Sequence, residues 1–165
     1  MRSLASILAE VASFKPRYIT VTGGEPLAQP GCIELLTKLC DEGYKVSLET
    51  SGALDVSRVD ERVSIVMDLK TPGSKEVSKN LYSNIPLLKS KDQIKFVICD
   101  RDDYNWSVFK LREYELEGRV DEVLFSPSVD QLEATDLADW IVKDNLPVRF
   151  QYQLHKMLWG DKPGV

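Results

Sequence analysis

Two hydrophobic periodicities alternate along the chain and predict alternating helices and strands. Apolar residues recur at helical spacing over 4–14, whereas β-branched and aromatic residues fill 18–22. Strands separated by helices are typical of a parallel α/β sheet with right-handed crossovers. The same patterns predict further helices over 32–42, 77–88, 104–116 and 136–143, the last with Thr135 as N-cap, and further strands over 45–50, 64–70, 93–99, 120–126 and 148–154.

The predicted strands are apolar on one side only. Val46 and Leu48, for example, alternate with Ser47 and Glu49. A parallel sheet covered by helices on both faces would be almost continuously apolar. We therefore expect the single domain 1–165 to be a partial (β/α) barrel, with helices on its outer face and a polar cavity at the carboxyl ends of its strands. The polar residues expected there are Thr20, Thr22, Glu49, Asp68, Lys70 and Ser126.

Four turns that follow strands collect polar groups at this edge. In the first, Thr-Gly-Gly-Glu-Pro at 22–26, the paired glycines leave backbone amides accessible and Glu25 adds a fixed acceptor for an ammonium or hydroxyl group. The other turns are 49–52, 68–74 and 125–128. Because the carboxyl ends of parallel strands meet at one edge, we expect a ligand-binding site there.

Composition and charge argue against several classes of function. The net charge of −5, without a basic stripe, argues against a nucleic-acid partner. No apolar run approaches the ~20 residues of a membrane span, and no signal peptide is recognisable, so a cytoplasmic location is expected. The three cysteines, Cys32, Cys40 and Cys99, are spaced neither as a disulfide framework nor as a zinc or iron-sulfur motif, and buried thiols are expected of the first two.

Several residues fit simpler roles as well. Lys70 suits either a Schiff-base lysine, as in aldolases, or a solvated ion pair with Asp68. His155, the one histidine, suits a hydrogen-bonded wall residue as well as a catalytic one. The acidic stretch 100–103 suits a helix cap or a cation site. The tryptophans at 106, 140 and 159 are expected in the core.

The turn at 22–26 resembles the glycine-glycine-glutamate turn of radical S-adenosylmethionine (SAM) enzymes, which holds the amino group of SAM. Together with 49–52, 68–74, 125–128 and the closing sequence 153–160, it is similar to the 7-carboxy-7-deazaguanine synthase family of the queuosine pathway, over essentially the whole chain. Members of that family are lyases that cleave SAM at a [4Fe-4S] cluster. They convert 6-carboxy-5,6,7,8-tetrahydropterin to 7-carboxy-7-deazaguanine with loss of ammonia, assisted by Mg²⁺.

The resemblance also implies roles for individual residues and assigns none of them a catalytic role. Thr22, His155 and the terminal Val165 would contact the pterin substrate. The residues that it implies for SAM are Gly23, Gly24, Glu25, Glu49, Ser51, Asp68, Leu69, Lys70, Ser126, Pro127, Ser128 and Val129.

One part of the family pattern is missing. The family holds its cluster through a C-x3-C-x2-C loop, and that spacing occurs nowhere here. The expectation is a fragment that begins just before the family's second strand, lacks the cluster loop and the Mg²⁺ ligand, and does not cleave SAM. The alternative is a non-catalytic remnant that binds a ligand or a protein. In both cases the edge at 18–22 would lack a neighbouring strand, so a homodimer or other self-association is expected.

Overall fold

The computed structural model describes residues 2–160 and 162, without the side chains of His155 and Lys156. Its strands form one parallel sheet in sequential order. The strands are Tyr18–Val21 (β1), Lys45–Thr50 (β2), Ser64–Asp68 (β3), Gln93–Ile98 (β4), Glu122–Pro127 (β5) and Arg149–Phe150 (β6). The helices are Leu4–Phe14 (α1), Cys32–Asp41 (α2), Arg101–Glu113 (α3), Leu116–Arg119 (α4), Ala134–Lys143 (α5) and Leu154–Trp159 (α6), with 3-10 turns at Pro26–Ala28, Pro72–Ser74, Val77–Lys79 and Tyr82–Leu87.

The sequential strand order explains why one face of the sheet stays open. Right-handed crossovers that always step in the same direction place every connection on the same face. Buried residues accordingly alternate with less buried ones along β2, β3 and β4. The prediction of an α/β partial barrel with helices on its outer face is confirmed. The core between sheet and helices includes Leu36, Leu39, Leu48, Ile65, Phe96, Tyr104, Phe125 and Leu137.

The predicted helix over 77–88 is wrong, since this segment forms two 3-10 turns. Two asparagine side chains bind backbone groups of neighbouring loops and hold the segment against them. Asn80 bonds both the N–H and the C=O of Lys70, each at 2.9 Å. Asn84 donates to the carbonyls of Gly52 and Leu54 and accepts from the amide of Val56. Pro86, which has no N–H, further disfavours an α-helix.

The last strand is shorter than the predicted 148–154. It pairs with β5 at two residues only, and α6 begins at Leu154. The amide of Gln151 still donates to the carbonyl of Phe125, at 2.9 Å. The next bond of a parallel ladder would need an N–H from Pro127, which has none. The ladder therefore stops at that point.

Three further expectations about the helices need correction. α3 begins at Arg101, capped by Asp100, and ends at Glu113, because Glu115 adopts a positive φ of 50° before the short α4. α5 begins at Ala134, so Thr135 lies within the helix and is not its N-cap. Trp159 is 52% exposed and does not belong to the core.

The described part of the chain contains no helix whose length and apolar character would let it cross a membrane. At one edge of the sheet, β1 has β2 as its only described neighbour, and Tyr18 is 69% exposed.

Candidate functional site

Polar side chains of the open face line up across strands at their carboxyl ends. Thr20 Oγ1 lies 3.0 Å from Ser47 Oγ, and the hydroxyl of Thr22 donates weakly to Glu49 Oε2 at 3.4 Å. Farther along the sheet, Lys70 Nζ lies 2.7 Å from Asp68 Oδ2. The ion pair between these residues that the sequence allowed for is therefore present, although the two side chains are only 30% and 18% exposed.

The Gly-Gly turn after β1 requires positive φ angles, which glycine adopts easily. Gly23 and Gly24 have φ values of +101° and +53°, which side chains rarely adopt. No atom lies within 4 Å of the position that a Cβ would occupy on either glycine. Both glycines are exposed on the open side, so their backbone groups are accessible to a ligand.

The carboxylate of Glu25 is already occupied by donors of this chain. Oε2 accepts hydrogen bonds from the amide and the hydroxyl of Ser51, and Oε1 accepts from the amide of Leu27 at 3.1 Å and from Thr50 Oγ1 at 2.9 Å. Burial acts to raise the pKa of Glu25, but these hydrogen bonds outweigh it and hold the pKa below its usual value. Glu25 thus binds the turn after β1 to the turn after β2.

A cavity of about 350 Å³ lies at the carboxyl ends of β3, β4 and β5. It brings together three residues implied for SAM, namely Asp68, Lys70 and Ser128. The hydroxyl of Ser128 donates to Gln131 at 2.6 Å, which orients that side of the cavity. The remaining lining residues are Thr71, Gly73, Ser74, Val97, Cys99 and Gln131.

Two buried polar atoms beside this cavity have no hydrogen-bond partner among the described residues. They are Asp68 Oδ1 and Ser126 Oγ. Ser126 is 1% exposed and is the register partner of Val97, which lines the cavity. Buried polar atoms are paired in most proteins, because an unpaired one is costly. Asp68 Oδ1 and Ser126 Oγ are therefore exceptions to this rule among the described residues.

Other residues implied for SAM lie elsewhere or point away. Leu69 and Pro127 are buried, so only their backbone groups could serve a ligand. Val129 lines a different cavity, of about 380 Å³, together with Tyr152. Ser51 is bonded to Glu25, and Glu49 is exposed on the open face.

The residues implied for the pterin do not come together along the sheet. Thr22 follows β1, at one edge, whereas His155 lies in α6, after β6 at the other edge. Five strand spacings separate these edges, about 24 Å measured along the sheet. The side chain of His155 and the whole of Val165 lie outside the described part of the chain.

Two residues that shape this edge are not among those that the sequence assigns to the site. Thr50 contacts both oxygens of Glu25, and Asn80 holds both backbone groups of Lys70. Thr50 could have been suspected from its place beside Ser51. No pattern marks Asn80, because its segment has the apolar spacing of a helix.

The three cysteines differ in burial and do not all lie in the same part of the fold. Cys32 and Cys40 are 6% and 8% exposed, in α2, where burial raises the pKa of both thiols. Cys99 lines the cavity, and burial is the main cause that raises its pKa. Among the side chains that the structure describes, which exclude His155, no three cysteine, histidine or acidic groups come together as a metal site. Asp100 acts as the cap of α3, with its carboxylate accepting from the amide of Asp103.

Comparisons with known proteins find relatives that carry the same name. Over 167 aligned positions, the chain is 38% identical to the 7-carboxy-7-deazaguanine synthase of Chlorobaculum tepidum, which covers 99% of this chain and 76% of that protein. It is 36% identical to the enzyme of the same name from Koribacter versatilis, with 93% of this chain and 74% of that protein covered. No family model matches the chain.

A solved structure shares the fold. SuiB of Streptococcus suis, in its complex with S-adenosylmethionine, matches with a TM-score of 0.60 at 16% identity. The match covers 89% of this chain and 40% of SuiB.

Proposed function

Because the chain belongs to the 7-carboxy-7-deazaguanine synthase family, we propose that its open sheet face binds SAM and a carboxylated tetrahydropterin. The observation that carries the proposal is the convergence at one edge of an exposed Gly-Gly turn, the Asp68–Lys70 ion pair and two buried polar atoms without described partners. Backbone carbonyl groups can accept hydrogen bonds from the ammonium group of an amino acid such as the methionine part of SAM, and a lysine suits its carboxylate.

In this proposal SAM lies across the carboxyl ends of β1, β2, β3 and β5. The turn at Gly23 and Gly24 faces its amino group, and Lys70 binds its carboxylate. Asp68 Oδ1, which has no partner among the described residues, accepts a hydrogen bond from a ribose hydroxyl, and Ser126 Oγ bonds the adenosine part. Glu49, Ser128 and the backbone of Pro127 complete the wall, and Val129 contacts SAM from the neighbouring cavity. Glu25 acts indirectly, by holding Ser51 and the first turn in place.

The pterin is assigned to the part of the face next to Thr22. The hydroxyl of Thr22 is exposed and only weakly bonded to Glu49, so it remains available to a substrate. His155 and Val165 are proposed as further contacts from the C-terminal segment.

The cysteines of this chain do not fit a [4Fe-4S] cluster. Cys32 and Cys40 are separated by about 12 Å along α2 and are buried in the core, while Cys99 lies at the end of β4. A cubane cluster needs several thiolates around one site. We therefore assign to these residues the binding and orientation of SAM and pterin, and no step of SAM cleavage.

Calorimetric titration of the chain with SAM tests the proposal. We expect saturable binding, weakened about tenfold or more in Lys70→Met, because a hydrogen bond to a charged group is lost. Lys75→Met, a nearby exposed lysine outside the cavity, is the control and should bind SAM within about twofold of the unchanged chain. Absence of SAM binding at millimolar concentration, or equal effects of both substitutions, would refute the assignment.

The placement of the cysteines favours a second candidate function, a module that binds ligand without catalysis. The two candidates differ in one product. After iron-sulfur reconstitution and reduction, 5′-deoxyadenosine formed from SAM by this chain alone would refute the binding-only function. Binding without product would support it.

A further inference from the structure

We propose that Asp103 is a positioning residue for the SAM site: its buried carboxylate clamps the turn after β3 to the end of β4 and thereby shapes the cavity that contains Asp68 and Lys70. This inference rests on the proposed function, since SAM is the ligand whose site the clamp would organise.

The clamp consists of two backbone hydrogen bonds and one hydroxyl contact from two loops. Asp103 Oδ1 accepts from the amide of Gly73 at 2.7 Å. Oδ2 accepts from the amide of Cys99 at 3.1 Å and lies 3.0 Å from the hydroxyl of Thr71. All three partners line the 350 Å³ cavity, and Thr71 directly follows Lys70. The carboxylate thus lies behind the cavity wall and fixes the spacing of its two sides.

Asp103 makes no ion pair among the described residues, although it is 1% exposed. A buried carboxylate without a cation is costly unless donors satisfy it. Here the donors come from the two loops, and the carboxylate also lies in the first turn of the 13-residue α3, where a negative charge is favourable. An asparagine would be cheaper to bury, but its NH₂ group cannot accept a hydrogen bond. The negative charge of Asp103 is therefore explained by the need for both side-chain oxygens to accept hydrogen bonds from the two loops.

Gly73 is matched to this arrangement. A Cβ on residue 73 would lie 2.5 Å from Asp103 Oδ2 and 3.1 Å from the Cβ of Cys99. Any side chain at this position would push the carboxylate away from the two loops. Gly73 and Asp103 therefore form one unit, and changes at either residue should have the same effect on the cavity.

The test compares Asp103→Asn with Asp102→Asn, which removes the same charge from the same turn of α3 but from an exposed side chain. We expect Asp103→Asn to raise the dissociation constant for SAM tenfold or more, and to accelerate hydrogen exchange at the amides of Gly73 and Cys99 about tenfold. Asp102→Asn should leave both quantities within twofold. A merely structural role of Asp103 would lower the melting temperature without changing SAM affinity in the folded protein, and that result would overturn the proposal.

A second variant keeps the inference testable if Asp103→Asn fails to fold. Gly73→Ala displaces the same carboxylate and should reproduce the loss of SAM affinity. Unchanged affinity in folded Gly73→Ala would also overturn the proposal. If the unchanged chain binds no SAM, the proposed function fails. In that case, unaltered hydrogen exchange at the amide of Cys99 in either variant would separately refute the clamp.

Discussion

The carboxylate of Glu25 accepts hydrogen bonds from both the turn that follows it and the turn after β2. We expect Glu25→Gln to lower the free energy of unfolding by about 1–2 kcal/mol at neutral pH. Since the pKa of Glu25 in the folded protein lies below the ordinary value of 4.5, this stabilisation is complete above that pH. It is lost as the pH falls through the folded pKa. Urea unfolding at neutral pH and at about pH 3 should therefore show the difference narrowing in acid.

Glu49→Gln is the control for this prediction, because Glu49 is exposed and has one weak bond to Thr22. Its substitution should change the free energy of unfolding by less than about 0.5 kcal/mol. A pH-independent effect of Glu25→Gln would contradict the role of the carboxylate.

Ser126 offers a test in which stability and binding move in opposite directions. Its buried hydroxyl has no partner among the described residues, so Ser126→Ala should raise the free energy of unfolding of the free chain by up to about 1 kcal/mol. The same substitution should weaken SAM binding several-fold. Thermal unfolding with and without SAM measures both effects.

Ser107→Ala is the matched control, since that buried hydroxyl donates to the carbonyl of Asp103 at 2.8 Å. It should destabilise the chain. If Ser126→Ala destabilises it equally, the hydroxyl of Ser126 has a partner and does not await a ligand.

At the residue scale, the sequence indicated which positions gather at the carboxyl edge but not what holds them. The pattern at 22–26 located the glycine turn, and Asp68 and Lys70 were both expected near the cavity. The bonds from Thr50 and Ser51 to Glu25 span 25 and 26 residues, and no local pattern encodes such a distance. The same is true of Asp103, whose partners Thr71 and Gly73 lie on another strand's loop.

Among the elements, α3 carries an unusual lysine environment. Lys110 Nζ lies 4.9 Å from the ring centroid of Tyr82 and 5.4 Å from that of Tyr114, and these two rings stack on each other. Trp106 and Phe109 also lie near Nζ, which in addition forms an ion pair with Glu113 at 2.6 Å. Because the side chain is only 14% exposed, the cation–π attraction is little screened. We expect Lys110→Met to lower the free energy of unfolding by about 1–2 kcal/mol, measured by urea denaturation.

The comparison is Lys143→Met, at the exposed last turn of α5, which should be nearly neutral. Equal values for the two substitutions would show that the rings around Lys110 contribute packing only.

Element boundaries were predictable where hydrophobic spacing and turn residues agree. The bounds of α1 and β2 match the prediction. The segment 77–88 has helical spacing, but Asn80 and Asn84 bond to other loops, and such tertiary bonds override a weak local preference. β6 ends early because the neighbouring strand, β5, ends with Pro127, which has no N–H to donate to β6. The sequence of β6 itself does not contain this information.

At the scale of the whole molecule, the outer edge of β1 predicts self-association. The amide of Lys45 donates to Arg17, so residues 17, 19 and 21 face β2, while the backbone groups of Tyr18 and Thr20 point outward. Unpaired strand edges readily pair with other chains. We expect the sedimentation coefficient to rise with protein concentration. Thr20→Pro removes an outward N–H but no backbone hydrogen bond to β2, and should suppress this rise.

A sedimentation coefficient that is independent of concentration in the unchanged chain would refute this prediction. If Thr20→Pro associates as strongly as the unchanged chain, the contact lies elsewhere, and the exposed apolar residues of α6, Leu154, Met157 and Leu158, become the surface to test.

The sequential strand order also bears on how the chain reaches this structure. Every strand pairs with the next one along the chain, as Tyr18 with Lys45 and Gln93 with Glu122, so no pairing waits for a distant segment. Short sequence separations favour fast folding, and chains emerge from the ribosome N-terminus first. The sheet can therefore grow during synthesis by adding one strand at a time to the exposed side of the strand made before it.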